Sequence, residues 1–307
     1  MLSPANVRDM LRVPLGVLQA RKLVAGFRPD VVLATGGYVA VPAGLAARLC
    51  KRPLVLHEQT VRLGLANRKL ASSAARIAVS SESTLPLLPE AVRSVAVVTG
   101  NPVRAQVLDG HADKAVAALG LTGFDRRLPT LYVTGGAQGS EQINAAVRAA
   151  LPWLLERANV VHQCGPDHEA AMRAHAAPLP AAHAGRYYVA GFVGPELPDV
   201  LALADVVLSR SGAGTLAELT ALGKPAVFVP LASSAGNEQA HNARHLQQAG
   251  AAVALEGEVT AECLQAALAP LLEDPARREA MGKAARTHGR PDAADSLVEV
   301  LLSAASG

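Results

Sequence analysis

The feature that most constrains the fold is a repeated alternation of short apolar runs with amphipathic segments along the 307 residues. Continuous Val, Leu and Ile runs are typical of strands in a parallel sheet that helices cover on both faces. The runs form two series, at residues 31–35, 53–57, 76–80 and 95–100, and then at 129–136, 159–165, 186–192, 204–209, 225–230 and 251–256. Two series predict an α/β protein with two doubly wound, Rossmann-like domains.

The boundary between the two predicted domains lies near the segment NPVRAQVLDGHAD, where turn residues and charges replace the apolar runs. We expect a first domain at residues 1–103 and a second at 104–289. An amphipathic helix at 290–304 has the pattern to pack against either domain, and we assign it to the first. Ligands of open α/β sheets lie beyond the carboxyl ends of the strands, so the turns there are the expected sites.

Composition excludes several classes of function. Aromatic residues make up only 3% of the chain, which argues against a stacking surface for nucleic acid. Cys50, Cys164 and Cys263 lie far apart and form no CxxC pair, so free thiols in a reducing cytoplasm are expected, and no zinc site. No apolar secretory signal occurs in the opening residues MLSPANVRDMLR.

Charge is distributed unevenly along the chain. Residues 1–104 carry 14 Lys and Arg against 5 Asp and Glu, whereas the remaining residues carry 15 against 21. A basic first part predicts an anionic partner there, such as a membrane surface or phosphate groups. The alternative is a solvated surface with scattered arginines.

The segment SRSGAGTLAE (209–218) follows an apolar run and opens an apolar helix pattern. Gly212 and Gly214 allow close approach of the backbone to a ligand, and the start of a helix favours a phosphate. Glu218, one turn further on, would repel a phosphate but suits the two hydroxyls of a ribose. A nucleotide site is one interpretation, and a turn that needs glycine and hydroxyls only for its geometry is the other.

Three further strand ends carry polar or glycine-rich turns. VTGGAQGSEQIN (133–144) and TGGYVAVPAG (35–44) are strand–glycine–helix turns, the second apolar enough for a lipid-linked ligand. HEQ (57–59) places His57 and Glu58 at a strand end, where either could serve in acid–base chemistry. Arg104 in GNPVR could meet a diphosphate, since guanidinium matches phosphate oxygens. Structural turns and a linker arginine are the alternatives.

Together these segments resemble the MurG-type family, the GT-B N-acetylglucosaminyltransferases of glycosyltransferase family 28. The resemblance rests on PDVVLATGGYVAVPAGLAA, LHEQ, GLANR, GNPVR, GGAQGS, GFV, DVVLSRSGAGTLAEL, GKPAVFVPL and NEQAHNA, in that order. It implies inverting transfer of N-acetylglucosamine from UDP-N-acetylglucosamine to undecaprenyl-diphosphate-linked muramoyl-pentapeptide in peptidoglycan biosynthesis. It also implies a peripheral enzyme on the cytoplasmic side of the membrane that needs no cofactor or metal.

By the same resemblance, the second domain binds most of the donor. The backbone of Val193 would read uracil, Glu218 would hold the ribose and Gln239 would contact the sugar. The other implied donor-binding residues are Thr60, Arg104, Ala137, Ala213, Gly214, Thr215, Leu216 and Ala217. The first domain would bind the lipid-diphosphate acceptor and the anionic inner leaflet, with Gly36, Gly37 and Tyr38 on its acceptor and membrane side.

The chain also departs from the family's pattern. The family's opening strand and its GTGGH loop, with the histidine usually proposed as general base, precede the segment that aligns with Met1. We therefore expect an incomplete first domain, an exposed sheet edge and self-association. Glu58 or His57 becomes the expected general base. Thr60 replaces an asparagine of the family, and Ala137 replaces a serine.

Two other classes of function stay open at this point. The chain could be a non-catalytic UDP-sugar-binding protein or one half of a split enzyme. It could also be another GT-B enzyme, such as a UDP-N-acetylglucosamine 2-epimerase or a glycolipid transferase with a different acceptor.

Overall fold

The computed structural model describes residues 4–306, and the side-chain environments from residue 14 onward. The chain divides into two compact units. The first unit contains the chain up to Pro102 together with the segment from Asp292 onward, and the second contains Val103–Pro291. Each unit is built around its own parallel sheet, so the predicted α/β class with two Rossmann-like domains is confirmed.

The first unit contains a parallel sheet in the order β1-β2-β3-β4. Its strands are β1 (Val32–Ala34), β2 (Leu54–Glu58), β3 (Arg76–Val79) and β4 (Ala96–Val98). Its helices are α1 (Pro4–Phe27), α2 (Ala40–Leu49), α3 (Leu65–Leu70) and the C-terminal helix (Ala293–Ser306), with 3-10 turns at Ala71–Ser73, Glu82–Leu87 and Glu90–Val95. The C-terminal helix packs against β2 and β3.

The core of the first unit lies between β2 and β3 and the helices α2 and α3. Leu54, Leu56 and Ile77 are almost completely buried in it, as the continuous apolar runs predict. β1 lies at the edge of this sheet, and Leu33 on it is 39% exposed. The self-association expected from such an edge stays a prediction.

The second unit contains a parallel sheet in the order β10-β9-β8-β5-β6-β7. Its strands are β5 (Thr130–Thr134), β6 (Asn159–Gln163), β7 (Tyr187–Ala190), β8 (Val206–Ser209), β9 (Ala226–Phe228) and β10 (Val253–Ala254). Its helices are α4 (Ala105–Leu108), α5 (Ala112–Ala118), α6 (Glu141–Arg157), α7 (Glu169–Ala176), α8 (Ala181–Ala184), α9 (Leu197–Leu203), α10 (Ala213–Leu222), α11 (Glu238–Gln248), α12 (Ala261–Glu273) and α13 (Pro275–Arg286), with 3-10 turns at Pro166–His168 and Ala235–Asn237.

Alternate residues of the central strands enter two different cores, one on each face of this sheet. On β5, Leu131 and Val133 pack into the core that includes α6 and α12, whereas Tyr132 packs into the core that includes α9 and α11. β8 divides its residues in the same way. Because both faces are buried, the inner positions of β5 and β8 form unbroken runs of largely hydrophobic side chains, which is why these strands could be located in the sequence.

Two further predictions can be compared with the described chain. The three cysteines are free thiols, as expected from their spacing. None of the described helices combines the length and the apolar composition that crossing a membrane requires.

Candidate functional site

The candidate nucleotide site lies in the second unit, where the strand order changes direction. β6 follows β5 on one side of the sheet, and β8 returns to pair with β5 on the other side. In open α/β sheets, ligands bind in the crevice beyond the carboxyl ends of the strands at such a point. The two turns that flank this crevice are residues 135–140 after β5 and residues 210–213 after β8.

The turn after β5 leads into a helix start that is already capped. The Ser140 Oγ accepts a hydrogen bond from the Ile143 amide, as expected of an N-cap serine. Arg210 donates from Nη2 to the same Oγ at 2.7 Å, and its Nη1 donates to the carbonyls of Val229 and Pro230. The Ile143 amide and the Ser140 hydroxyl are therefore committed to contacts within the protein, whereas the amides of Glu141 and Gln142 donate to no residue of the described chain.

The turn after β8 leads into a helix start that is not capped. Gly212 occupies the N-cap position of α10 and offers no side chain. The amides of Ala213, Gly214 and Thr215 donate to no residue of the described chain. Three free N–H groups at the positive end of a helix suit an anionic group.

Arg104 and Glu218 form an ion pair beside this helix start. The Arg104 Nε donates to the Glu218 Oε1 at 2.8 Å, with 60% of the arginine side chain and 17% of the glutamate side chain exposed. The phenol of Tyr132 lies buried nearby: burial raises its pKa, and the charge of Glu218 adds to that rise. The structure thus brings together two residues that are 114 positions apart in the sequence.

Gln239, at the start of α11, is held against the same turn. The Ser211 hydroxyl donates to the Gln239 carbonyl at 2.8 Å, and the Leu231 amide donates to the Gln239 Oε1 at 3.0 Å. The Gln239 Nε2 donates to no residue in the part of the chain that the structure describes. This amide is available to a ligand in the crevice.

Val193 follows β7 and is only 4% exposed. Its amide donates to the Gln163 Oε1 at 2.8 Å, while no described residue donates to its carbonyl. The backbone of Val193 therefore presents an acceptor rather than a donor to a ligand. Ala137 lies exposed in the turn after β5, where its methyl group offers no hydrogen bond.

In the first unit, His57 and Glu58 end β2 and both side chains are buried. The Glu58 carboxylate accepts hydrogen bonds from the amide and hydroxyl of Thr60, from the Gly64 amide and from the Asn67 side chain. These contacts fix the loop between β2 and α3. Thr60, expected at the donor, thus lies in the first unit and contacts Glu58.

The His57 Nε2 lies 3.0 Å from the Gly100 carbonyl, which can only accept, so Nε2 carries the proton. Burial lowers the pKa of His57, and this outweighs the opposing effects of the Gly100 bond and the Glu58 charge. His57 is therefore a neutral imidazole at pH 7. The assignment of the general base to His57 or Glu58 stays a prediction.

The turn after β1 is built from glycines in unusual conformations. Gly36 and Gly37 have φ values of +93° and +77°, which side-chain-bearing residues rarely adopt. Tyr38 follows them and is 98% exposed. This turn presents an aromatic ring to the surroundings of the first unit, close in sequence to the basic helix α1.

Sequence reasoning missed two residues that organise these turns, Gln163 and Arg210. A signal for Gln163 was present, because NVVHQCG ends an apolar strand with adjacent His and Gln just as LHEQ does. Arg210 lies inside the segment that drew attention to glycines and Glu218. Its role depends on which distant groups its side chain reaches.

Two parallel α/β units, one with a nucleotide-type crevice at its switch point, define a GT-B glycosyltransferase fold. Residues 1–79 match the glycosyltransferase family 28 N-terminal domain, and residues 130–297 match its C-terminal domain. The UDP-N-acetylglucosamine–N-acetylmuramyl-(pentapeptide) pyrophosphoryl-undecaprenol N-acetylglucosamine transferase of Geobacter sulfurreducens is 35% identical, over 98% of this chain and 80% of its own length.

Solved structures show the same likeness. MurG of Acinetobacter baumannii superposes with a TM-score of 0.76 at 29% identity, covering 95% of this chain and 80% of that one. A UDP-GlcNAc 2-epimerase from Neisseria meningitidis superposes with a TM-score of 0.64 at 19% identity, covering 95% and 81%. The chain belongs to glycosyltransferase family 28, in its MurG-type group, as the sequence motifs predicted.

Proposed function

We propose that this chain transfers N-acetylglucosamine from UDP-N-acetylglucosamine to undecaprenyl-diphosphate-linked muramoyl-pentapeptide, giving lipid II in peptidoglycan biosynthesis. The acceptor hydroxyl attacks C1 of the donor sugar, the bond from C1 to the diphosphate breaks, and UDP leaves. The hydroxyl proton passes to a general base, and the configuration at C1 inverts.

The observation that carries this proposal is the difference between the two helix starts at the crevice. At the α6 start Ser140 caps the Ile143 amide and also accepts from Arg210, whereas at the α10 start no side chain caps an amide and the ion pair of Arg104 and Glu218 lies alongside. A diphosphate on the α10 amides places the adjoining ribose one turn along the helix, within reach of Glu218.

Stabilisation of the leaving UDP follows from the same arrangement. Charge builds on the diphosphate as the bond to C1 breaks, and the α10 amides and the Arg104 guanidinium are positioned to meet it. We propose that these groups make a metal unnecessary. The Gln239 amide, held beside the α10 turn, is the group proposed to contact the sugar.

The relatives of this chain favour the transferase reaction over the epimerase reaction. Relatives that align over nearly the whole chain are named as the transferase, at 34–37% identity. The epimerase is 19% identical, which shows a shared fold alone. A non-catalytic sugar-nucleotide-binding role makes a different prediction, namely UDP binding without transfer.

We further propose that the first unit docks on the anionic cytoplasmic face of the membrane. Leu18, Leu23 and Phe27 on α1 are each more than half exposed, and Arg21 and Lys22 between them are exposed as well. An exposed apolar surface next to cationic side chains fits the interface of an anionic bilayer. Replacing Leu23 and Phe27 by Asp is expected to abolish co-flotation with phosphatidylglycerol vesicles.

The transfer proposal is tested with the purified chain, labelled UDP-N-acetylglucosamine and a short-chain lipid acceptor. Label in the lipid product is the expected result. UDP binding without any transfer would instead support the non-catalytic alternative. Glu218→Ala is expected to weaken UDP binding at least tenfold, because the ribose loses an acceptor for its two hydroxyls. Unchanged affinity would contradict the ribose assignment.

A further inference from the structure

Gln163 lies at the carboxyl edge of the sheet in the second unit, beside the crevice. It is the last residue of β6, which lies between β5 and β7, and it is 5% exposed. In the sheet register it pairs with Thr134 on one side and Ala190 on the other. Its side chain therefore stands where three neighbouring strands end.

The Gln163 carboxamide joins the two loops that flank it. Its Nε2 donates to the Thr134 Oγ1 at 3.0 Å and to the Gly136 carbonyl at 2.9 Å, on the side of the turn after β5. Its Oε1 accepts from the Val193 amide at 2.8 Å, on the side of the loop after β7. The Tyr132 hydroxyl lies 3.5 Å from the same oxygen. Both amide hydrogens and the oxygen are thus in use.

These contacts determine what Val193 presents to a ligand. With its N–H given to Gln163, the free backbone group of Val193 is the carbonyl. A carbonyl can accept the N3–H of uracil, whereas N3 of cytosine is itself an acceptor and would be repelled. The position of this carbonyl, which lies in the peptide unit adjoining the one that Gln163 holds, therefore decides between the two pyrimidines.

We propose that Gln163 is a positioning residue of the donor site that sets its preference for uridine over cytidine nucleotides. It acts through Val193 and through the turn at Gly136, and it need not touch the nucleotide. This inference rests on the proposed function, because it requires the crevice to bind UDP.

Asn159 provides a matched control on the same strand. It is the first residue of β6, it is 2% exposed, and its carboxamide makes three hydrogen bonds, with the Asp125 amide and the carbonyls of Asp125 and Leu128. It therefore resembles Gln163 in burial and bonding but lies at the opposite end of the sheet. A loss of fold stability alone would affect both positions.

The experiment compares Gln163→Met with Asn159→Leu by calorimetric titration with UDP and with CDP, below the thermal midpoint of each variant. Both variants are expected to have lower thermal midpoints, because each leaves backbone groups unsatisfied. Gln163→Met is expected to bind UDP about tenfold more weakly and to lose most of the preference for UDP over CDP. Asn159→Leu is expected to keep both.

A second variant keeps the test valid if Gln163→Met does not fold. Gln163→Glu retains an acceptor for the Val193 amide but has no N–H for the Gly136 carbonyl. It is expected to bind UDP more weakly while keeping the preference over CDP. Equal loss in Asn159→Leu, or an unchanged UDP:CDP ratio in Gln163→Met, would overturn the inference. If the unaltered chain binds no UDP, that result contradicts the proposed function itself and not only the role of Gln163.

Discussion

The ion pair between Arg104 and Glu218 leads to a prediction with opposite signs for two ligands. The Arg104 guanidinium occupies the Glu218 Oε1, which a ribose needs if both of its hydroxyls are to bind the carboxylate. A nucleoside must break this pair and offers the released arginine no new anionic partner. A nucleoside diphosphate provides a new anionic partner for the released arginine. Arg104→Gln should therefore strengthen uridine binding and weaken UDP binding.

The geometry sets the size of each effect. The Arg104 side chain is 60% exposed, so the pair belongs with solvent-screened ion pairs, which contribute about 0.2–1 kcal/mol. Removing it should improve uridine affinity by about 1.4-fold to fivefold. Losing one charge-assisted bond to the diphosphate costs about 1.5–3 kcal/mol, which weakens UDP binding by about tenfold to a hundredfold.

The assay is calorimetric titration of the unaltered chain and of Arg104→Gln with uridine and with UDP at one fixed salt concentration. Arg127→Gln is the control, since Arg127 pairs with Asp125 in an exposed contact just before β5, at the opposite edge of the sheet. It should leave both affinities unchanged. If Arg104→Gln weakens uridine and UDP binding in equal proportion, the exchange of partners is refuted.

Three further predictions concern His162, two glycines in the turn after β5, and Glu58. Burial lowers the pKa of His162 to about 3, so on acidification the unfolded chain takes up a proton before the folded chain does. The free energy of unfolding should therefore decrease as the pH falls below about 6.5, by about 1.4 kcal/mol per pH unit. Chemical denaturation at several pH values should show a smaller dependence of this free energy on pH for His162→Gln. Gly139→Ala should lower the thermal midpoint more than Gly136→Ala, because a Cβ at Gly139 lies 1.9 Å from the Cys164 carbonyl oxygen whereas one at Gly136 meets nothing within 4 Å. Glu58→Gln should lower kcat of transfer by about 10²–10⁴-fold if this residue is the general base, with UDP affinity unchanged; a lower thermal midpoint with kcat retained would assign it to holding the loop.

Much of the fold could be predicted from the sequence, because the strands of the second sheet are buried on both faces. On β5, Leu131 and Val133 face one core and Tyr132 faces the other, so three consecutive positions had to be largely hydrophobic. Such runs are visible without any knowledge of tertiary contacts. The turns were equally visible, because Gly36 and Gly139 adopt positive φ angles that favour glycine.

The choice between the two glycine turns of the second unit was not visible in the same way. Both read as a strand, then glycines, then a hydroxyl residue, then a helix. Arg210, which binds Ser140 from 70 positions away, ties the capping residue of one helix start to a distant side chain, while the other start has no side-chain cap. Glycine spacing reports local backbone geometry, and it carries no information about which distant side chain arrives.

The sequence by itself determined the fold class, the positions of the strands and the family, because burial on two faces and motif order are properties of short segments. Only the tertiary structure decided which groups are free. The Glu58 carboxylate is surrounded by four donors, the Val193 amide is taken by Gln163, and Arg104 is paired with Glu218. A residue's availability to a ligand depends on the partners that folding brings within about 3 Å, and those partners lie elsewhere in the chain.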